Sequence, residues 1–193
     1  MDPIEASFSE AQDCLTSFIA DDVHFPRVRL FASKLAATFQ SGCKAMACGN
    51  GGSMSDAMHF AEEWSGRYRK ERPPMPAIAF SDPGHMSCVA NDYGFSEVFA
   101  RQVLALGREG DLLLLLSTSG NSPNLLRAAE EARSRGVTTV GLLGRDGGAL
   151  LPLCDIPILV PGATSDRIQE LHIKIIHTVI EAVERMLFPD LYT

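Results

Sequence analysis

Five short apolar runs constrain this chain more than anything else in its sequence. They occupy residues 45–48, 77–80, 112–116, 138–143 and 156–160. None alternates polar with apolar residues, the pattern of strands covered on both faces, as in a parallel sheet. Helical patterns at 55–66, 97–106 and 123–135 lie between them, with turn signals at Gly107-Arg108-Glu109-Gly110, Arg135-Gly136 and 144–148. The expected fold is α/β: a single doubly wound, five-stranded parallel sheet of flavodoxin-like form, flanked by helices. In strand order 2-1-3-4-5, strands one and three would meet where the winding reverses, and ligands of open α/β sheets bind there.

Both ends read as helix. Ile4, Phe8, Ala11, Leu15, Phe18 and Ile19 form one apolar stripe, Asp21-Asp22 breaks it, and Val28, Phe31, Leu35 and Phe39 form a second. This N-terminal pair, residues 1–42, should pack on the core or on a neighbouring subunit, and 43–193 form the domain proper. A long C-terminal helix is expected over 166–188, with Ile168, Leu171, Ile175, Ile176, Val179, Ile180, Val183 and Leu187 on its apolar side.

Composition removes several function classes. The 193 residues carry 17 basic against 24 acidic side chains, net charge -7, so neither nucleic acid nor an anionic membrane is the default partner. Residues 67–72, Arg-Tyr-Arg-Lys-Glu-Arg, read as a solvated loop or an interface rim. The longest purely apolar run, 112–116, is far too short to span a bilayer. The start lacks the basic-then-apolar pattern of an export signal. Cys14, Cys43, Cys48, Cys88 and Cys154 are odd in number and never form a C-x-x-C pair, which fits reduced thiols in the cytoplasm.

Two loops of small polar residues follow strands and run into helices. One is Gly49-Asn50-Gly51-Gly52-Ser53; the other is Ser117-Thr118-Ser119-Gly120-Asn121-Ser122-Pro123. Pro123 suits a first helical position, which makes Ser122 the expected N-cap. Backbone N–H groups and hydroxyls there form a local anion site that a negative net charge does not oppose. A dinucleotide is disfavoured, because Met54 stands where the third glycine would be and no acidic residue ends the second strand; without a Walker lysine, nucleotide phosphoryl transfer is disfavoured too.

His59 and Glu63, four apart on one helix, are spaced to share a cation. Gln169, His172 and His177 interrupt the apolar stripe of the last helix. Each has a plain structural explanation: a surface hydrogen bond, a core histidine, or, for Gln169, a capping box with Asp166 as N-cap. Gln169 and His177 are eight residues apart, about 12 Å of helical rise. If both bound one ion, either the helix would bend or, as expected here, two subunits would contribute.

At these residues the chain resembles the sugar isomerase (SIS) domain family, and more narrowly the bacterial phosphoheptose isomerases. The resemblance rests on Cys48 to Ser53, Asp56-Ala57-Met58-His59-Phe60-Ala61-Glu62-Glu63, Gly66-Arg67-Tyr68-Arg69, Asn91-Asp92-Tyr93-Gly94-Phe95, Gly107 to Asp111, Ser117 to Ser122, Gly147-Gly148, and Asp166-Arg167-Ile168-Gln169-Glu170 with His177. It implies a homotetramer with interfacial active sites and one zinc per site, held by His59, Glu63, Gln169 and His177. It implies substrate contacts from Asn50, Gly51, Gly52, Ser53, Glu63, Asn91, Asp92, Ser117, Thr118, Ser119, Ser122 and Gln169. The implied reaction converts sedoheptulose 7-phosphate to D-glycero-D-manno-heptose 7-phosphate through an enediol, the entry to heptose for lipopolysaccharide core. Glu63 and His177 are the acid–base candidates, with Asp92 and Asp166 as helpers. The alternative is a non-catalytic SIS protein that binds sugar phosphate or a protein partner.

Overall fold

A computed structural model describes residues 2–193. Its strands are β1 (Ala45–Gly49), β2 (Ala77–Ala79), β3 (Leu112–Ser117), β4 (Thr138–Gly144) and β5 (Ile156–Val160), all parallel, in the expected order β2-β1-β3-β4-β5. The helices are α1 (Pro3–Ala20), α2 (His24–Gln40), α3 (Gly52–Ser65), α4 (Pro83–Tyr93), α5 (Ala100–Leu106), α6 (Pro123–Ser134) and α7 (Ser165–Leu187).

The leucine run of β3 is divided between two cores. Leu112, Leu114 and Leu116 join Phe31 and Leu35 of α2, Phe60 and Trp64 of α3, and Ile168, Ile176, Val179 and Ile180 of α7. Leu113 and Leu115 face the other layer, with Val89, Phe99, Val103, Leu125 and Ala128. Successive strand side chains point to opposite faces, so a strand at the centre of a three-layer sandwich needs apolar residues at every position. Two-sided burial holds for β1, β3 and β4, but not for the edges. Ile78 of β2 is exposed, and β5 alternates between buried and half-buried residues.

Other boundaries also differ from the sequence reading. Helix α4 was not expected, because Pro83-Gly84 looks like loop and its remaining residues are weakly patterned. Asp82 nonetheless caps it, accepting from the His85 N–H at 2.6 Å. The helix expected over 97–106 is a short 3-10 turn (Phe95–Glu97) followed by α5. Asp166 is not the N-cap of α7; Thr164 is, so Gln169 sits beyond any capping box. Helix α2 lies in the core, its rim fixed by Arg27 donating to the Pro157 carbonyl at 2.6 Å. On α1 only Phe18 is buried, while Ile4, Phe8, Leu15 and Ile19 are exposed, Phe8 at 76%. All five cysteines are free thiols. No helix among the described residues is long and apolar enough to cross a membrane.

His172 of α7 is fully buried in this core, and neither ring nitrogen makes a well-formed hydrogen bond. Burial drives its pKa down from 6.5 to about 3, against a weaker upward pull from the Leu143 backbone. Below 6.5 the unfolded chain takes up a proton that the native chain refuses, so stability falls as pH falls through this window. His172→Leu should remove this dependence. Urea unfolding should show the variant gaining on wild type by about 1.4 kcal/mol per pH unit on acidification from pH 6 to 4.

Candidate active site

The two polar loops meet at the carboxyl ends of β1 and β3. Asn50, Ser53, Ser117, Thr118, Ser119, Ser122, Ser165 and Gln169, with Leu116 beneath, line a pocket of about 170 Å³. A larger open depression of about 430 Å³ at the amino ends of β4 and β5, among Leu30, Lys34, Arg133 and Asp155, brings together no comparable donor set.

Each loop is held by contacts that its sequence makes possible. The Gly120 N–H donates to Ser117 Oγ at 2.9 Å, which leaves the hydroxyl proton of Ser117 free for a ligand. Asn121 ties the serine loop down, donating to the Ser119 carbonyl at 2.9 Å and accepting from the Ala149 N–H at 3.0 Å. Gly120 has φ +66°, and a Cβ there would stand 1.9 Å from the Gly147 carbonyl oxygen, so no other residue fits. Ser122 occupies the N-cap of α6 as expected, but its side chain makes no capping bond and faces the pocket instead. Beside the pocket Asn50 and Asn124 exchange amide hydrogen bonds of 2.9 and 2.8 Å, joining the first loop to α6.

Helices α3 and α7 run side by side from this pocket and carry the second group. His59 Nε2 lies 3.2 Å from Glu63 Oε1 and 3.3 Å from His177 Nε2, and His177 Nε2 lies 3.9 Å from Glu63 Oε1. These donor atoms all fall within 4.8 Å of one another. For zinc with bonds of about 2.1 Å, the edge of a ligand tetrahedron is about 3.4 Å, and N and O donors are what it takes. The three residues therefore fit such an ion. Burial, and then the neighbouring His59, lower the pKa of His177, which keeps its imidazole in the neutral form a metal requires. Tyr68 stacks on the His177 ring at 5.9 Å between centroids.

Gln169 does not join these three. Its amide sits against Gly52 and donates to Ser53 Oγ at 3.4 Å, inside the pocket. Helix α7 runs unbroken through both positions, so the separation read from the spacing holds within one chain. Asn91 and Asp92, at the end of α4, are exposed and bonded to each other at 2.7 Å, with no contact to either group in this chain. Asp166 is exposed at the start of α7. Hydrogen bonds from Thr164 and Arg167 hold its carboxyl at about 2, which makes it a weak base. Gly51 shapes the first turn with φ +56°.

Four contributors escaped the sequence reading. Ser165 lines the pocket and meets Thr118 Oγ1 at 3.1 Å; Asn124 and Tyr68 act as described above. Asp56, one turn before His59, is half-buried with Oδ2 unpartnered, and burial raises its pKa to about 6. Its place on the His59 face of α3, within a stretch that carries the family resemblance, was the available signal.

The sequence profile described as "SIS domain" matches residues 8–144. The phosphoheptose isomerase of Fusobacterium nucleatum is 51% identical over 187 residues, covering 97% of this chain and 96% of that protein. That of Vibrio cholerae is 50% identical over 185 residues, covering 95% and 97%. The solved phosphoheptose isomerase from Francisella tularensis superposes with TM-score 0.91 at 36% identity, over 95% of this chain and 97% of that one. The Vibrio vulnificus NanR protein complexed with ManNAc-6P, at 16% identity and TM-score 0.70 over 99% of this chain and 65% of that one, shares the fold alone. The chain belongs to the SIS domain family, and within that family to the phosphoheptose isomerases.

Gly120→Ala tests the cradle. Left-handed strain and the clash with Gly147 should together cost at least about 2 kcal/mol in urea unfolding. Inorganic phosphate should raise the melting temperature of the wild type and leave that of the variant unchanged.

Proposed function

We propose that the chain interconverts sedoheptulose 7-phosphate and D-glycero-D-manno-heptose 7-phosphate, supplying heptose for lipopolysaccharide core, with one zinc per site in a cytoplasmic homotetramer. One observation carries this reading: His59, Glu63 and His177 converge beside a serine-lined pocket, in a chain half identical to phosphoheptose isomerases along nearly its whole length.

The pocket takes the phosphate. Hydroxyls of Ser117, Thr118, Ser119 and Ser122, with the start of α6, direct donors at its oxygens. From Ser53 to His59 along α3 the rise is about 9 Å, of the order spanned between the phosphorus and the reacting carbons of an extended sugar phosphate. The substrate's far end thus reaches the His59–Glu63–His177 group while its phosphate stays anchored.

Isomerisation carries a proton between C1 and C2 and passes through an enediol. Glu63 keeps a second carboxylate oxygen to accept a proton when Oε1 binds the metal, whereas His177 Nε2, 3.9 Å from Oε1, takes a proton only when it is off the metal. Gln169 donates toward the sugar from the pocket side. Zinc held by His59, Glu63 and His177 would supply Lewis acidity for the charge that develops on the substrate during enediol formation. Gln169 is the expected fourth ligand, contributed by rearrangement or by a second subunit. Asn91, Asp92 and Asp166 lie at the surface of this chain, where a neighbouring subunit's site would use them. The apolar face of α1, with Ile4, Phe8, Leu15 and Ile19 uncovered, supports such an assembly. Free thiols at all five cysteines suit a reducing compartment. A non-catalytic regulator would have no use for the acid–base pair that this chain keeps.

Glu63→Gln and His177→Gln should each lower turnover at least about 100-fold, with far-UV circular dichroism unchanged. Chelation should abolish turnover, and zinc should restore it. Across a panel of C5 to C7 ketose phosphates the seven-carbon substrate should give the highest kcat/KM; a preference for a shorter chain would overturn the assignment.

A further inference from the structure

We propose that Arg72 and Glu184 are positioning residues that fix the two metal-bearing helices against each other, with Tyr192 locking the carboxylate in place. The inference rests on the metal reading above and goes beyond it, since none of the three lies at the site.

Helix α3 ends at Ser65, so Glu63 stands in its last turn, where backbone carbonyls have no intrahelical partner. The Gly66 N–H takes the Glu62 carbonyl at 2.7 Å. The next two carbonyls fall to one guanidinium: Arg72 Nη2 donates to Glu63 O at 2.5 Å, and Nη1 to Trp64 O at 2.8 Å. Nη1 also lies 3.2 Å from Pro73 O and 3.4 Å from Gly66 O. A cation here also complements the negative end of the helix. The guanidinium carbon of Arg72 lies over the Trp64 ring, 5.3 Å from its centroid.

The remaining donor, Nε, reaches Glu184 Oε1 at 2.7 Å, and both side chains are 0% exposed. Glu184 lies on α7, two turns beyond His177. The Tyr192 hydroxyl donates to the other carboxylate oxygen, so both oxygens of Glu184 are engaged. One planar group therefore bridges the backbone of Glu63 to the helix that carries His177. A buried ion pair is a poor device for stability alone, because apolar residues of similar volume do as well or better. What the fork adds is direction: two carbonyls and one carboxylate are met from three sides, which a lysine ammonium cannot reproduce.

The test is metal uptake by the metal-free protein, read by the visible absorption of added Co²⁺ and by Zn²⁺ competition with a chromogenic chelator. Arg72→Lys and Glu184→Gln should weaken binding about 10- to 100-fold and alter the Co²⁺ band, as loss of a ligand-orienting partner does. These measurements are made at a temperature where near-UV circular dichroism shows each variant folded. Tyr192→Phe should shift both readouts the same way by a smaller factor. A purely structural role would lower the melting temperature and leave the affinity and spectrum of the folded protein unchanged, and that result overturns the proposal. Should the two buried variants fail to fold, Tyr192→Phe decides, and wild-type affinity and spectrum in it count against the proposal. If the wild type itself takes up no Co²⁺ or Zn²⁺, the metal reading fails first and takes this inference with it.

Discussion

A parallel strand covered on both faces has nowhere to send a polar group except past its ends. β3 obeys this along Leu112 to Leu116 and breaks into hydroxyls at Ser117, where the sheet stops. β1 does the same at Gly49 and Asn50. Because the winding reverses between these two neighbours, their loops are not covered by one crossover helix and open on a common space. The anion cradle is therefore a by-product of how the core is buried, with glycines at 51 and 120 supplying backbone angles that other residues resist.

From that cradle the chemistry is laid out along two helices rather than around a loop. α3 begins at the pocket with Gly52 and Ser53 and delivers His59 and Glu63 about two and three turns further on; α7 begins with Ser165 and Gln169 and delivers His177. Rigid elements hold side-chain positions more tightly than loops do. Each helix thus carries residues of the serine-lined pocket at its start and residues of the His59–Glu63–His177 group in its body.

Much of this was legible in the sequence. Parallel, doubly covered strands followed from the uninterrupted apolar runs, their order from the flavodoxin-like form expected of such a chain, and the two loops from their glycines and serines. His59, Glu63 and His177 were legible through their spacing and the family resemblance. The illegible parts have physical causes. α4 is weakly amphipathic and held by one cap at Asp82, so its pattern is faint. Asn124, Ser165 and Tyr68 act through contacts that sequence distance hides; Asn50 and Asn124 are joined only because β1 and β3 are neighbours. The edges of the sheet depart from two-sided burial because a strand with one neighbour borders solvent. Gln169 shows the reverse case: its distance from His177 was read correctly from helical rise, and its partner, Ser53, was not.

The lining of the serine pocket contains neither lysine nor arginine among the described residues. Neutral donors grip an oxyanion by aim instead of by opposite charge, and short-range dipoles are little screened by dissolved ions. Such a seat tells a tetrahedral phosphate from a flat carboxylate by the angles of its hydroxyls. It also lets a spent ligand depart without rupturing an ion pair, which suits a molecule that must empty itself after every cycle.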